Sequence, residues 1–341
     1  MEHQVVTFGE IMMRLTPPDY QRFVQAERFE VTYGGGEANV AVSLANYGIN
    51  SSFVTRLPDH QIGFAARNYL RRFGVDTSNI LFGGERLGVY YHEKGASQRP
   101  SVVIYDRAHS AIAGVDAGTF DWAKIFNSKT WFHFTGITPA LGPGPTRATL
   151  EAAAAARKAG VTISCDLNYR KKLWTPAEAA ETMSQLMEYV DVVVANEEDA
   201  EQVFGIKAAN SNINRGEISD QGYEKVMREL QKRFKLQAVA VTLRKSYSAS
   251  NNGWSAMLLS HDQLFKSKEY TINVIDRVGG GDSFCGGLIY ALLEQKDLQS
   301  ALEFAVAASC LKHTIPGDFN LVTSGEVEKL IGGDGSGRVQ R

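Results

Sequence analysis

Short apolar runs alternate with longer helical patterns over most of this chain. Val5–Glu10, Ser52–Leu57, Thr130–Gly136, Val161–Leu167, Asp191–Asn196 and Ala238–Leu243 read as strands. Most are continuously apolar, which is the pattern of strands buried on both faces of a mostly parallel sheet. Between them lie helical stretches: Ala38–Tyr47 closed by Gly48, Thr146–Lys158 closed by Gly160, Pro176–Tyr189, Asp220–Phe234, Asp282–Leu293 and Leu298–Thr314. The alternation predicts one α/β domain over residues 1–330, a doubly wound, mostly parallel sheet flanked by helices. Ligands of such sheets sit beyond the carboxyl ends of the strands.

Two regions break the alternation. Pro17–Tyr33 and Gly88–Tyr105 hold strand-like pieces, at Gly88–Glu93 and Ser101–Tyr105, without helices between them. A small β-lid, inserted at about residues 14–33 and 88–108, explains both. A sheet that small, left exposed, invites cover by a second copy, so a homo-oligomer built through the lid is expected. The tail 332–341, GGDGSGRVQR, has the composition of a disordered segment.

Composition narrows the classes. Of 341 residues, 44% are hydrophobic and 22% charged, and the formal net charge of −2 gives no sign of a nucleic-acid partner. Cys165, Cys285 and Cys310 form no C-x-x-C pair, so they read as reduced packing thiols of a cytoplasmic protein. No stretch of about 18 apolar residues predicts a membrane span. The opening residues lead into a strand with no basic region and apolar run, so no signal peptide is expected.

The sharpest chemical feature is Asp276-Arg277-Val278-Gly279-Gly280-Gly281-Asp282, between a strand-like run (Tyr270–Ile275) and an apolar helix. Consecutive glycines let several backbone N–H groups converge on one ligand, and the helix start adds its positive dipole end. That combination suits a phosphate, or charge developing on a transferred phosphoryl group. Asp282 stands at the mouth of the loop. A carboxylate there makes chemical sense as a base that ionises an attacking hydroxyl. On local pattern alone, a helix N-cap after a glycine turn explains it equally well. An earlier cluster, Gly34-Gly35-Gly36 followed by Asn39, also opens a helix. It fits either a polyol-binding turn or plain helix–sheet packing. The chain carries no G-x-x-x-x-G-K-[ST] loop, and the early glycines miss the G-x-G-x-x-G spacing of dinucleotide oxidoreductases.

With both glycine segments in this order, the chain resembles the ribokinase-like (PfkB-type) carbohydrate kinases over roughly residues 4–330. Within that family it is most similar to the 2-keto-3-deoxygluconate kinases. The residues carrying this likeness are Leu87–Tyr90, Tyr105–Arg107, Gly136–Leu141, Asp166–Arg170 with Leu173-Trp174, and Gly317-Asp318. The resemblance implies a ribokinase-like fold and ATP-dependent phosphorylation of a sugar acid, 2-keto-3-deoxygluconate to its 6-phosphate. It assigns Asp282 and the amides of Gly279, Gly280 and Gly281 to catalysis. It assigns Gly34, Gly35, Asn39, Tyr90, Tyr105, Arg107, Ile137, Arg170 and Asp318 to the sugar. Asn168, Asn196, Thr242, Arg244, Gly279 and Gly281 are expected at ATP, with Lys245–Gly253 as an adenine-side loop. The family's N-x-x-E element appears as Asn196-Glu197-Glu198-Asp199, so Glu198 or Asp199 is expected to serve Mg²⁺ through water. A K⁺ ion near Asp276 is a further family expectation. Arg277 and Gly280 depart from the family's threonine and alanine.

Two arginines suit a substrate with a planar carboxylate. A neutral-sugar kinase such as a fructokinase is the nearest alternative, since Asn168–Arg170 with Leu173-Trp174 also suits that group. A non-catalytic sugar- or nucleotide-binding regulator on the same scaffold is the alternative of a different class.

Overall fold

The computed structural model describes residues 3–196, 198–207 and 220–333. Its strands are β1 Gln4–Phe8, β2 Met12–Thr16, β3 Glu30–Gly34, β4 Asn50–Leu57, β5 Ile80–Phe82, β6 Val89–Glu93 and β7 Val102–Asp106. They continue as β8 Trp131–Thr135, β9 Thr162–Asp166, β10 Val192–Ala195, β11 Ala238–Ser246, β12 Asn251–Ser260, β13 Gln263–Lys266 and β14 Tyr270–Asn273. The helices are α1 Gly36–Asn46, α2 Gln61–Arg71, α3 Trp122–Ile125, α4 Pro143–Lys158, α5 Pro176–Met187, α6 Asp199–Phe204, α7 Asp220–Phe234, α8 Gly280–Leu293, α9 Leu298–Lys312 and α10 Ser324–Ile331.

The large sheet runs β13-β12-β11-β10-β9-β8-β1-β4-β5, with β14 also on β12. From β5 to β11 every pairing is parallel. Beyond β11 the sheet turns antiparallel. Side-chain alternation splits the core between two helical layers. Val193 and Ala195 pack with α4, α5 and α7, whereas Val192 and Val194 join the cluster of α1, α8 and α9. Both faces are therefore covered, which is why the central strands tolerate unbroken apolar runs.

The strand order reverses between β1 and β8: the chain goes one way from β1 to β4 and β5, and the other way from β8 onward. Residues just beyond the carboxyl ends of this pair, Glu10 and Ile137, line a cavity. The topological switch point thus places the site.

A second sheet of four strands, β3-β2-β6-β7, stands apart from the first. It begins earlier than the expected insert, at Met12, because β2 pairs antiparallel with β3 and parallel with β6.

Several elements differ from the sequence expectation. Lys245–Gly253 is not a free loop: Lys245 pairs with Gly253 and Ser246 with Asn252, so β11 and β12 form a long hairpin. Strand β12 starts on Asn251-Asn252-Gly253, residues poor in strand propensity, and its pairing comes from the hairpin rather than from local preference. Helix α2 is an amphipathic element absent from the sequence expectation, burying Gly63, Ala66 and Leu70 along one face. All three cysteines are free. Among the described residues no helix is long and apolar enough to cross a membrane. The expected disordered tail lies outside the described residues from 334 onward.

Candidate active site

The glycine loop folds tightly for reasons its neighbours supply. Gly279 caps α8 with φ +82°, and a Cβ there would sit 2.0 Å from the Asp318 carbonyl oxygen. A Cβ on Gly280 would meet the His313 ring at 2.5 Å. At Gly281 nothing lies within 4 Å, so that stretch of backbone faces open space. The first turn of α8 contributes N–H groups without intrahelical partners, together with the positive end of the helix dipole.

Asp282 sits half-buried at the start of this helix. Its Oδ2 accepts a hydrogen bond from Asn39 Nδ2 at 2.6 Å, while Asn39 Oδ1 accepts the Gly35 N–H at 3.2 Å. The other oxygen, Oδ1, lies 3.6 Å from the position of a Cβ on Gly36. Burial pushes the Asp282 carboxyl up to about 6, against the opposing pull of the Asn39 hydrogen bond and of the nearby Arg170 charge. A carboxylate in that range is ionised at neutral pH yet basic enough to take a proton.

A cavity of about 450 Å³ opens over the loop. It is lined by Gly279, Gly280, Gly281 and Asp282, by Gly35, Asn39, Tyr90, Tyr105, Arg107, Ile137, Arg170 and Asp318, and by Asn168, Asn196, Glu198, Thr242 and Arg244. A wider concavity of about 1260 Å³ shares Tyr105, Arg107, Arg170 and Glu198 and runs outward past Lys171 and Lys172. Gly34, Asp199 and Asp276 do not line the cavity.

Each of those three has a different partner. A Cβ on Gly34 would lie 2.1 Å from Asp318 Oδ2, so Gly34 makes room for that carboxylate. Asp199 is 2% exposed and spends both oxygens on backbone, accepting from Tyr169 N and Asn196 N at 3.0 Å each. Of the two acids expected at Mg²⁺, only Glu198 faces the cavity. Asp276 Oδ2 accepts from Arg14 Nη2 at 2.5 Å and Gly317 N at 3.0 Å, and Oδ1 from Val278 N at 3.2 Å. Burial works against the Asp276 carboxylate, but Arg14, Lys312 and His92 together hold it below its ordinary range.

The small sheet roofs the cavity. Tyr90 on β6 donates to Asp318 at 2.6 Å, and its ring lies 5.8 Å from that of Tyr105 on β7. Arg107 follows β7, stands over the Tyr105 ring and pairs with Glu10. At the far end the sheet's tip touches the β11–β12 hairpin: Ala249 N donates to Ser97 O at 2.7 Å, and Ser97 N to Ser250 Oγ at 2.9 Å. Arg277 donates to the Ala249 carbonyl at 3.1 Å. Asn168 holds φ +40° and donates its N–H to Asp166 Oδ1. Asn196 Oδ1 accepts from Glu198 N and Asp199 N.

Sequence reading gave no role to four groups here: Glu10, Arg14, Glu37 and Lys312. Glu10 and Glu37 line the cavity, as Asp166 does. Glu37 is buried and takes hydrogen bonds from Thr135 N, Thr135 Oγ1 and Thr138 Oγ1. Arg14 and Lys312 lie beneath the loop. One signal was available for them: Arg14 is the one charge in MMRLT, and Lys312 closes the mostly apolar second half of α9.

Residues 2–322 match the family model described as pfkB family carbohydrate kinase. Over 339 residues the chain is 32% identical to a 2-dehydro-3-deoxygalactonokinase of Haloferax volcanii, covering 99% of both sequences. It is 26% identical to a 5-dehydro-2-deoxygluconokinase of Bacillus licheniformis, over 97% of this chain and 96% of the relative. The crystal structure of 2-dehydro-3-deoxygluconokinase from Thermotoga maritima superposes with a TM-score of 0.93 at 51% identity, covering 98% of this chain and 99% of that one. With the glycine loop, the ionisable Asp282 and the switch-point cavity already in place, these matches decide the family: the chain belongs to the pfkB family of carbohydrate kinases.

Proposed function

We propose that this kinase transfers the γ-phosphoryl group of ATP to a 2-keto-3-deoxy sugar acid, with 2-keto-3-deoxygluconate as the substrate and the 6-hydroxyl as the acceptor. The observation that carries the reading is the presence of two guanidinium groups, Arg107 and Arg170, in the same cavity as Asp282. They arrive from different segments, one after β7 and one after β9, and a planar carboxylate is the group such forks suit. Relatives named for keto-deoxy sugar acids support it.

In this reading the sugar lies between the small sheet and Asp282, with Gly35, Asn39, Tyr90, Tyr105, Ile137 and Asp318 around it. ATP lies toward Asn168, Asn196, Thr242 and Arg244. Asp282 takes the proton of the attacking hydroxyl, the new O–P bond forms, and the bond to the β-phosphate oxygen breaks, leaving ADP with the electron pair. Amides of Gly279, Gly280 and Gly281 receive the charge that builds on the phosphoryl oxygens. Kinases of this family use ATP with Mg²⁺, which neutralises phosphate charge when bound. Glu198 would hold its water shell, a role supported by its place in the cavity wall and by the commitment of Asp199 to backbone. A monovalent cation at Asp276 forms no part of the reading, since Arg14 and two amides already occupy that carboxylate.

The four-stranded sheet acts here as a lid that excludes water from the transfer. Its tip contacts at Ser97, Ala249 and Ser250 support closure over both substrates. Exposed Val31, Val102 and Ile104 on its strands support a homo-oligomer formed through the lid in the cytoplasm.

One observation favours the second reading, a neutral sugar such as fructose: Arg107 is already paired with Glu10. The test compares phosphorylation of keto-deoxy sugar acids and neutral sugars by the wild type and Arg107→Ala. Loss confined to the acids upholds the proposal, whereas a variant equally impaired on both classes, or a wild type that prefers fructose, overturns it.

A further inference from the structure

A potassium-type ion bound by protein replaces its water with backbone carbonyl and other oxygen ligands. At Asp276 those oxygens are already taken. Lys312, 0% exposed at the end of α9, directs its ammonium to the carbonyls of Asp276 at 3.4 Å and Ile315 at 3.2 Å. Its Cε lies 3.2 Å from where a Cβ on Gly279 would stand. From the opposite side Arg14, 1% exposed, bridges Asp276 Oδ2 at 2.5 Å and Asp318 Oδ1 at 2.8 Å. The same Nη2 that reaches Asp276 also meets His92 Nδ1 at 2.7 Å, and Nε donates to Thr16 Oγ1 at 2.9 Å. Among the described residues no group of three or more acids, histidines or cysteines could hold a metal ion.

Two buried positive charges on one aspartate repel any third. The residues at Asp276 therefore do not fit a free monovalent cation. They fit its replacement. A buried ammonium is costly unless acceptors surround it, and here they belong to the loop's own first residue and to Ile315, three residues past the end of α9.

We propose that Lys312, assisted by Arg14, is a tethered substitute for a monovalent cation beneath the glycine loop. It grips the carbonyl of Asp276 and so fixes the backbone from which the amides of Gly279–Gly281 project. Neither side chain lines the cavity, so both are positioning residues. The inference rests on the kinase reading but not on which sugar is phosphorylated.

The test exchanges cations around the intact wild type, with ATP and magnesium present as salts of large organic ions. At a total salt of about 0.1 M, turnover is expected to change less than about threefold among tetramethylammonium, sodium and potassium. A potassium-specific rise of about tenfold or more overturns the proposal. Lys312→Ala is expected to lose at least about tenfold in kcat with little change in the sugar KM, and potassium or ammonium, but not tetramethylammonium, to restore part of it. Wild-type turnover by Lys312→Ala without any small cation also overturns it.

Melting temperature supplies a readout that needs no sugar. The wild type should gain nothing from potassium over tetramethylammonium, whereas Lys312→Ala should gain with potassium. A potassium-specific gain in the wild type counts against the proposal. A mistaken substrate would show instead as absent turnover with the melting pattern intact. If Lys312→Ala does not fold, the wild-type cation series decides alone.

Discussion

Asn39 Nδ2 donates to Asp282 Oδ2 at 2.6 Å, joining residues 243 positions apart in the chain. The bond ties the first helix of the large sheet's switch point to the first turn of α8. It holds one carboxylate oxygen still and leaves the other on the Gly36 side. It also opposes burial, which alone would raise the carboxyl further.

Asp282→Asn keeps the shape of the side chain and removes the proposed base. The expected result is a fall in kcat of at least about 10²-fold, with ATP and sugar still binding in equilibrium titrations. Near-normal turnover would remove Asp282 from its role.

The pH profile tests the same group through its titration. A base with its carboxyl near 6 gives a kcat that rises with pH through that value and then levels. Asn39→Ala removes a hydrogen bond that favours the ionised form, so the acid limb should move to higher pH. A profile that stays in place after Asn39→Ala would show that another group sets the limb.

The central sheet was legible because its strands are buried on both faces, and Val161–Leu167 or Asp191–Asn196 could hardly be anything else. The glycine loop was legible because three glycines before an apolar helix have few structural uses. What escaped depends on contacts distant in sequence. Strand β12 is specified by its hairpin partner and not by its own composition. Asp199 is expected from its motif to serve Mg²⁺ through water, but the fold turns it onto Tyr169 and Asn196 amides. Arg14 drew no role from its local sequence, because its partners Asp276 and Asp318 lie more than 260 residues away.

Gly34 offers a purely steric prediction. An added Cβ would lie 2.1 Å from Asp318 Oδ2, and Asp318 is pinned by both Arg14 and Tyr90. Gly34→Ala must therefore displace the carboxylate or the strand, at a cost of about 1–3 kcal/mol in stability. Denaturant unfolding should show that loss, and the sugar KM should rise with it. An alanine tolerated on both counts would mean that Asp318 moves freely and does not shape the sugar pocket.

Glu37 gives a prediction about stability and pH. It is 1% exposed, and burial pushes its carboxyl up to about 7, against the hydrogen bonds from Thr135 and Thr138. A carboxyl raised on folding holds its proton more tightly in the native state. Its contribution is complete below the unfolded value near 4.5 and is lost as pH rises through about 7. The span amounts to at most about 3 kcal/mol. Glu37→Gln keeps an oxygen to accept from the two threonines and has nothing to titrate. Relative to the wild type it should gain stability between pH 5 and pH 8, because only the wild type must then bury a charge or carry an unfavourable proton. Thermal or urea unfolding of both proteins at the two pH values, in the same salt, measures this difference directly. A wild-type-to-variant gap that is the same at both would show that Glu37 ionises in the folded chain as readily as in water, and the buried three-donor cradle around it would have to be solvated.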